Sequence, residues 1–247
     1  MIRNRHHIRG FAGTLLLLCV AGAAAGQESA TELIEATHIF GPSPRMEVDA
    51  TMSISERGTT QTRRLEAWYE REDRSFSLFV HIVQPPFLRN MKFLLQRTGS
   101  REESWMRTSR GVRRLGESGG RERVFGSHFT VRDFARIDPS SHRIEYVGKP
   151  TDDRAVIEVV PEDSAMGRRR FTVEPETRLI REIEFLDSSG AIEKRYELLE
   201  VKRVDGQPVP ARARMREPGG GDETVITLDS VEFPSRIPSR YFSRGNL

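Results

Sequence analysis

The 247-residue chain carries 39 Lys and Arg against 36 Asp and Glu, a formal charge of +3. The excess lies in the first 26 residues, which hold Arg3, Arg5 and Arg9 and no acid; the other 221 residues carry 36 charges of each sign, so a uniformly basic nucleic-acid binder is disfavoured. With 36% hydrophobic residues, the remainder can build a core and suits one large β domain or two small ones.

Residues 1–26 read as a secretory signal. A basic stretch (MIRNRHHIRG) precedes an apolar one (FAGTLLLLCV), and Ala23 and Ala25 stand in A-x-A spacing before expected cleavage near Gly26 or Gln27. The apolar run is too short to span a bilayer comfortably. Cys19, the only cysteine, follows the bulky Leu18, which does not suit a lipid-modified cysteine, so it falls in the discarded signal. The mature chain, 27–247, is then expected to lack disulfides and thiolate chemistry and to suit the bacterial periplasm.

Residues 31–40 (TELIEATHIF) predict a short helix stopped by Pro42 and Pro44. Beyond them the period is two. Met46, Val48, Ala50, Met52 and Ile54 alternate with Glu47, Asp49, Thr51, Ser53 and Ser55, the pattern of a half-buried strand. Leu65, Ala67 and Tyr69 repeat it, then Phe76, Leu78, Val80 and Ile82. Pro85-Pro86 breaks the run. Strands are predicted at 91–95, 104–107 and 112–115; 124–134 is irregular, with a helical turn at 130–134. They resume at 143–147, 155–160, 168–173, 179–186, 193–204, 209–216 and 224–233. The tail, IPSRYFSRGNL, is expected to dock Tyr241 and Phe242. About ten to twelve strands at hairpin spacing, with no repeat and no linker, predict one mainly β domain, a large antiparallel sheet curling on itself.

The faces differ in chemistry. Arg212, Arg214 and Arg216 alternate with Ala211, Ala213 and Met215, and Glu182 and Glu184 with Ile183 and Phe185, so charges are expected outside with cross-strand partners. So little helix leaves the apolar face to be covered by a second sheet or to enclose a concavity; pattern alone leaves both open.

Catalytic and metal signals are sparse. His38, His81, His128 and His142 show no ligand spacing, and no phosphate-binding glycine loop occurs. A hydrolase would need Ser127, His128 and Asp133 to meet, but neighbours on a strand face opposite ways. Arg107, Arg110, Arg113 and Arg114 could bind phosphate head groups, though a solvated hairpin explains them as well. Neither catalysis nor a cofactor is expected.

Three stretches carry a resemblance. They are Pro86–Leu94 (PFLRNMKFL), Trp105-Met106 followed by Val112–Leu115, and Phe125–Phe134 (FGSHFTVRDF). Together they resemble an uncharacterised branch of the LolA-like outer-membrane lipoprotein-sorting proteins. The pattern departs at Asn90, where glycine is usual, and at Arg107–Arg110, where an aliphatic-proline stretch is usual. The resemblance implies a half-closed β-barrel with a few short helices as lid, holding lipid or lipoprotein acyl chains in transit between membranes. By strand phase the expected cavity lining is Met46, Val48, Met52, Ile54, Leu65, Tyr69, Phe76, Leu78, Val80 and Ile82, with Phe93, Leu95, Trp105 and Phe129 at the rim or lid. A monomer that hands cargo to a membrane protein follows. The alternative is an envelope sensor or structural adaptor that docks a membrane protein without lipid transfer.

Overall fold

Alternation along the chain becomes pairing in a computed structural model that describes residues 28–37, 39–72, 75–99, 101–115, 120–134, 137–162 and 167–247. The expected signal and His38 lie outside the described residues. The strands are β1 (Arg45–Glu56), β2 (Thr59–Glu72), β3 (Ser75–Gln84), β4 (Lys92–Thr98), β5 (Arg101–Thr108) and β6 (Gly111–Leu115). After a crossover segment come β7 (His142–Tyr146), β8 (Ala155–Pro161), β9 (Arg168–Glu174), β10 (Leu179–Leu186), β11 (Ile192–Val204), β12 (Gln207–Arg216) and β13 (Glu223–Glu232). They form one antiparallel sheet in the order β6-β5-β4-β3-β2-β1-β13-β12-β11-β10-β9-β8-β7, with β6 and β7 as open edges. The thirteen strands among the described residues exceed the overall count of about ten to twelve, but each falls on one of the ranges predicted above.

Two hairpins show how local sequence sets register. Arg57-Gly58 and Asp205-Gly206 both take positive φ at both residues (50° and 79°, 49° and 79°), the two-residue turn whose twist matches the flanking strands. Bulges at Asp49/Ala50, Arg64/Leu65, Ile180/Glu182 and Leu198/Glu200 add local twist and bend. The sheet curls: Phe93 on β4 and Tyr196 on β11 are six strands apart in order, about 29 Å along the sheet at roughly 4.8 Å per strand, yet they wall one hollow.

The helix, α1 (Ala30–Glu35), is shorter than predicted. The Ser29 hydroxyl accepts from Glu32 N–H at 3.2 Å, and the Glu32 carboxylate accepts from Ser29 N–H at 2.8 Å, a reciprocal cap. It ends early because the Thr37 hydroxyl donates back to Ile34 O (2.7 Å) and the chain turns Ile39 and Phe40 toward the concave side. Ala30, Leu33 and Ile34 bury against the apolar residues of β8 and β9.

The convex side has two characters. Trp68, Phe79, Leu94 and Trp105 stand opposite one another across β2 to β5, and the tail covers them with Ile237, Tyr241, Phe242 and Leu247. Tyr241 stacks on Trp68 with ring centroids 4.1 Å apart. Trp105 therefore corrects the expectation that placed it at the cavity rim. Its neighbours Ser104 and Met106 are buried on the concave phase, so Trp105 must face outward. On the other wing the convex face is a charge ladder. Glu158, Arg170, Glu184 and Arg195 stand in register across β8 to β11, joined at 3.1, 3.1 and 2.6 Å. Glu197 holds Arg214 and Arg216 at 2.7 and 3.1 Å. Partly exposed pairs of this kind contribute about 0–1 kcal/mol each; they serve register more than stability.

Candidate functional site

Inside the curl lies an apolar hollow of about 150 Å³. Nine expected residues wall it: Met46, Val48, Met52, Leu65, Tyr69, Leu78, Val80, Phe93 and Phe129. Phe76 walls a neighbouring basin of about 580 Å³, together with Tyr69. Ile54, Ile82 and Leu95 are buried in the same core cluster but do not line either space. The far wall, not anticipated, comes from Tyr196, Ala213, Ile226 and Leu228. The same period-two rule, carried into β11 to β13, would have found them.

The basin is half open and is bordered by Ile34, Ile39 and Phe40 on one side and Phe171, Ile180 and Ile183 of β9 and β10 on another. Arginines rim it. Arg97 pairs with Glu102 at 2.7 Å, donates to Phe134 O at 3.2 Å and lies 4.9 Å from the Phe76 ring. Arg178 pairs with Glu28 at 2.6 Å.

Basin and hollow share Ile39, Phe40, Tyr69 and Phe134 as walls. A run of rings forms the partition between them. Phe76 meets Tyr69 (5.9 Å), Tyr69 meets Phe40 (5.0 Å), and Phe40 stacks on Phe134 (6.0 Å). Phe134 stacks on Phe129 (6.2 Å), which meets Tyr196 edge-on (6.5 Å). Burial raises the phenol pKa of Tyr69 and drives that of Tyr196 well above the usual value, so both rings stay neutral and the wall is uncharged.

The crossover segment holds Phe125, Phe129 and Phe134 in place through a set of hydrogen-bonded polar groups, although the buried His128 Nε2 has no hydrogen-bond partner among the described residues. Val124 N–H donates to Phe129 O at 2.8 Å, closing a small loop in which Phe125 and Gly126 take φ of 53° and 70°. The Ser127 hydroxyl donates to Val124 O at 2.7 Å. His128 N–H donates to Thr224 Oγ1 at 3.0 Å, and its Nδ1 lies 2.8 Å from the same hydroxyl. Both Asp133 carboxylate oxygens lie 2.7 Å from Lys194 Nζ, and one accepts from Thr130 N–H at 2.7 Å. Ser127, His128 and Asp133 thus point to three different partners and form no nucleophile–base chain. The helical turn expected at 130–134 is a short 3-10 turn, Val131–Phe134.

Of the arginine patch, Arg113 pairs with Glu122, Arg114 pairs with Glu103 at 3.2 Å, and Arg107 donates to Leu247 O at 2.6 Å. His81 lies on the outer face, its Nε2 2.7 Å from Arg89 O.

A family model described only as an uncharacterized protein matches residues 75–247. Three solved structures are similar in fold. A DUF1329 family protein from Desulfovibrio piger is 18% identical with a TM-score of 0.75, over 88% of this chain and 95% of that one. A domain from Vibrio parahaemolyticus, described as an outer membrane lipoprotein-sorting protein, is 16% identical with a TM-score of 0.75, over 88% and 95%. A LolA superfamily protein from Nitrosomonas europaea is 17% identical with a TM-score of 0.68, over 90% and 100%. No curated protein matches the sequence. The fold is LolA-like, as the motifs from Pro86 to Phe134 imply.

Proposed function

Because the chain belongs to the family of uncharacterized proteins whose model spans residues 75–247 and has a LolA-like fold, we propose that it is a periplasmic carrier, holding acyl chains of lipids or lipoproteins in its concave hollow. The observation that carries this reading is the pair of adjoining spaces, one walled almost entirely by apolar side chains, separated by side-chain rings rather than by backbone.

The energetics favour such a role. Each methylene moved out of water contributes about 0.8 kcal/mol, so a sixteen-carbon chain gains on the order of 10 kcal/mol on entering an apolar site. The inner hollow alone, near 150 Å³, is the size that admits a benzene-like guest. The 580 Å³ basin falls within the usual range of ligand sites, roughly 300–1,000 Å³. Parting Phe40 from Phe134 would join the two. No covalent chemistry is needed; release follows from a membrane partner that binds the cargo better.

The adaptor reading rests on the charged outer face and the arginine patch, and three of the patch's four members, like the charge ladder, are engaged within the protein. The test is to purify the protein from its native envelope without detergent and identify bound lipid by mass spectrometry. A stoichiometric acylated molecule is expected, displaced by a fluorescent palmitoyl probe. An empty protein that also fails to bind the probe overturns the carrier; a stable membrane-protein complex with an empty hollow favours the adaptor.

A further inference from the structure

Next to the basin, beyond Asp133, lies a cleft of about 300 Å³ with a cationic lining. Arg121, Arg123, Arg168, Arg169 and Lys194 all face it. Two of its carboxylates are already engaged: Asp133 by Lys194 at 2.7 Å and Glu217 by Arg123 at 2.6 Å. Arg121, Arg168 and Arg169 make no ion pair among the described residues, which leaves positive charge in excess over the remaining acid, Glu193.

Arg169 is the unusual member. On β9 it shares the inward phase of the buried Phe171 and Val173, and it stands opposite Phe185 and Val159. Its guanidinium lies 5.7 Å from the Phe171 ring. It is packed deep among protein atoms yet keeps partial solvent contact, because it lines both the cleft and the basin. Burial lowers its pKa to about 10, partly offset by Asp133, so it is still a cation at neutral pH. A cation on an apolar wall without a partner is costly unless an anion meets it. Here the place where an anion would sit adjoins the place where a chain would lie.

We propose that Arg169 receives the phosphate of an anionic amphiphile, whose head occupies the cationic cleft while its chain runs into the basin and hollow. This rests on the carrier reading and names its substrate class: phosphate-bearing lipids in preference to neutral ones. Arginine suits the role because its planar fork binds phosphate oxygens in pairs.

The experiment is calorimetric titration of delipidated protein with 1-palmitoyl lysophosphatidic acid, 1-monopalmitoylglycerol and glycerol 3-phosphate, below micellar concentrations. The lysophospholipid is expected to bind on the order of tenfold tighter than the neutral lipid, the worth of one charge-assisted contact. Arg169→Met should bring that ratio to about one. Equal affinities in the wild type overturn the head-group assignment and leave the carrier intact. Glycerol 3-phosphate binding as tightly as the lysophospholipid makes the cleft a free-phosphate site and also overturns it. If neither lipid binds, the carrier reading fails first. Should Arg169→Met not fold by circular dichroism, the exposed Arg121→Gln must lower the ratio about two- to threefold at unchanged stability; an unchanged ratio counts against the proposal.

Discussion

Asp133→Asn tests whether the ring partition is latched by charge. The side chain of Asp133 is 3% exposed and that of Lys194 16%, with both carboxylate oxygens 2.7 Å from the ammonium. Asparagine keeps the shape and can still accept from Thr130 N–H, but it leaves Lys194 without its counter-charge. Removing one partner of a buried pair costs about 3–5 kcal/mol. Lys194 retains some water, so the lower end, about 3 kcal/mol, applies. For a chain of this size each kcal/mol moves the melting temperature by roughly 2–4 °C, which gives a fall on the order of 6–12 °C by circular dichroism. The loss should be nearly the same at low salt and at high salt, since a pair this enclosed is screened little. Lys194→Met alone should be similarly damaging, and the double variant should recover part of the loss. An Asp133→Asn melt within 2 °C of wild type, or a double variant no better than the worse single, refutes the latch.

Three further outcomes follow from the same structure. Tyr241→Ala removes the stack on Trp68 and should cost about 2 kcal/mol, with a red shift in tryptophan emission as the tail loosens; an unshifted spectrum would mean the tail holds without it. His128 is buried beside Arg123, and both effects lower its pKa below the usual 6.5. The unfolded chain therefore binds the proton first, so stability should fall as pH drops below about 6.5, and His128→Asn should flatten that slope in urea titrations at pH 7.5 and 5.5. Ala67→Leu adds volume on the wall of the inner hollow and should weaken palmitoyl-probe binding while leaving the melting temperature unchanged or higher; undiminished binding would place the chain elsewhere.

The strands were legible because burial on one side writes itself into every second residue. Met46 to Ile54 is inward at each apolar position, and β1 buries all five. Curvature was not legible, since a bulge such as Asp49/Ala50 is a one-residue shift in pairing with no side-chain signature. Trp105 shows another limit. It is expected at the rim or lid, but an aromatic can be buried on either face, and the residues that cover it, among them Ile237, Tyr241, Phe242 and Leu247, are distant in sequence. Arg169 was hidden for the opposite reason. In the run Arg168-Arg169-Arg170 one arginine must face inward by alternation, yet a charge is read as external by default. Phe40 and Phe134 were missed because they sit on segments without a period, where only tertiary contact decides direction.

Those two residues bear on how a chain would enter. Phe40 lies between α1 and β1, and Phe134 ends the crossover turn, so neither is fixed by a strand ladder. Opening there costs the ring contacts and the Asp133–Lys194 latch, about 3 kcal/mol for the latter; the sheet itself need not move. Burying a long acyl chain returns on the order of 10 kcal/mol, enough to drive the opening. A short chain of four or five carbons, worth about 3–4 kcal/mol on the same scale, would barely match the latch. On the carrier reading this opening cost is the same for every chain, so it lowers all affinities by one factor and leaves only the longer acyl probes bound tightly enough to detect. In Asp133→Asn, where that cost is reduced, every probe should bind tighter by about the same factor, so that shorter chains become detectable; affinities equal to those of the wild type would show that nothing has to open.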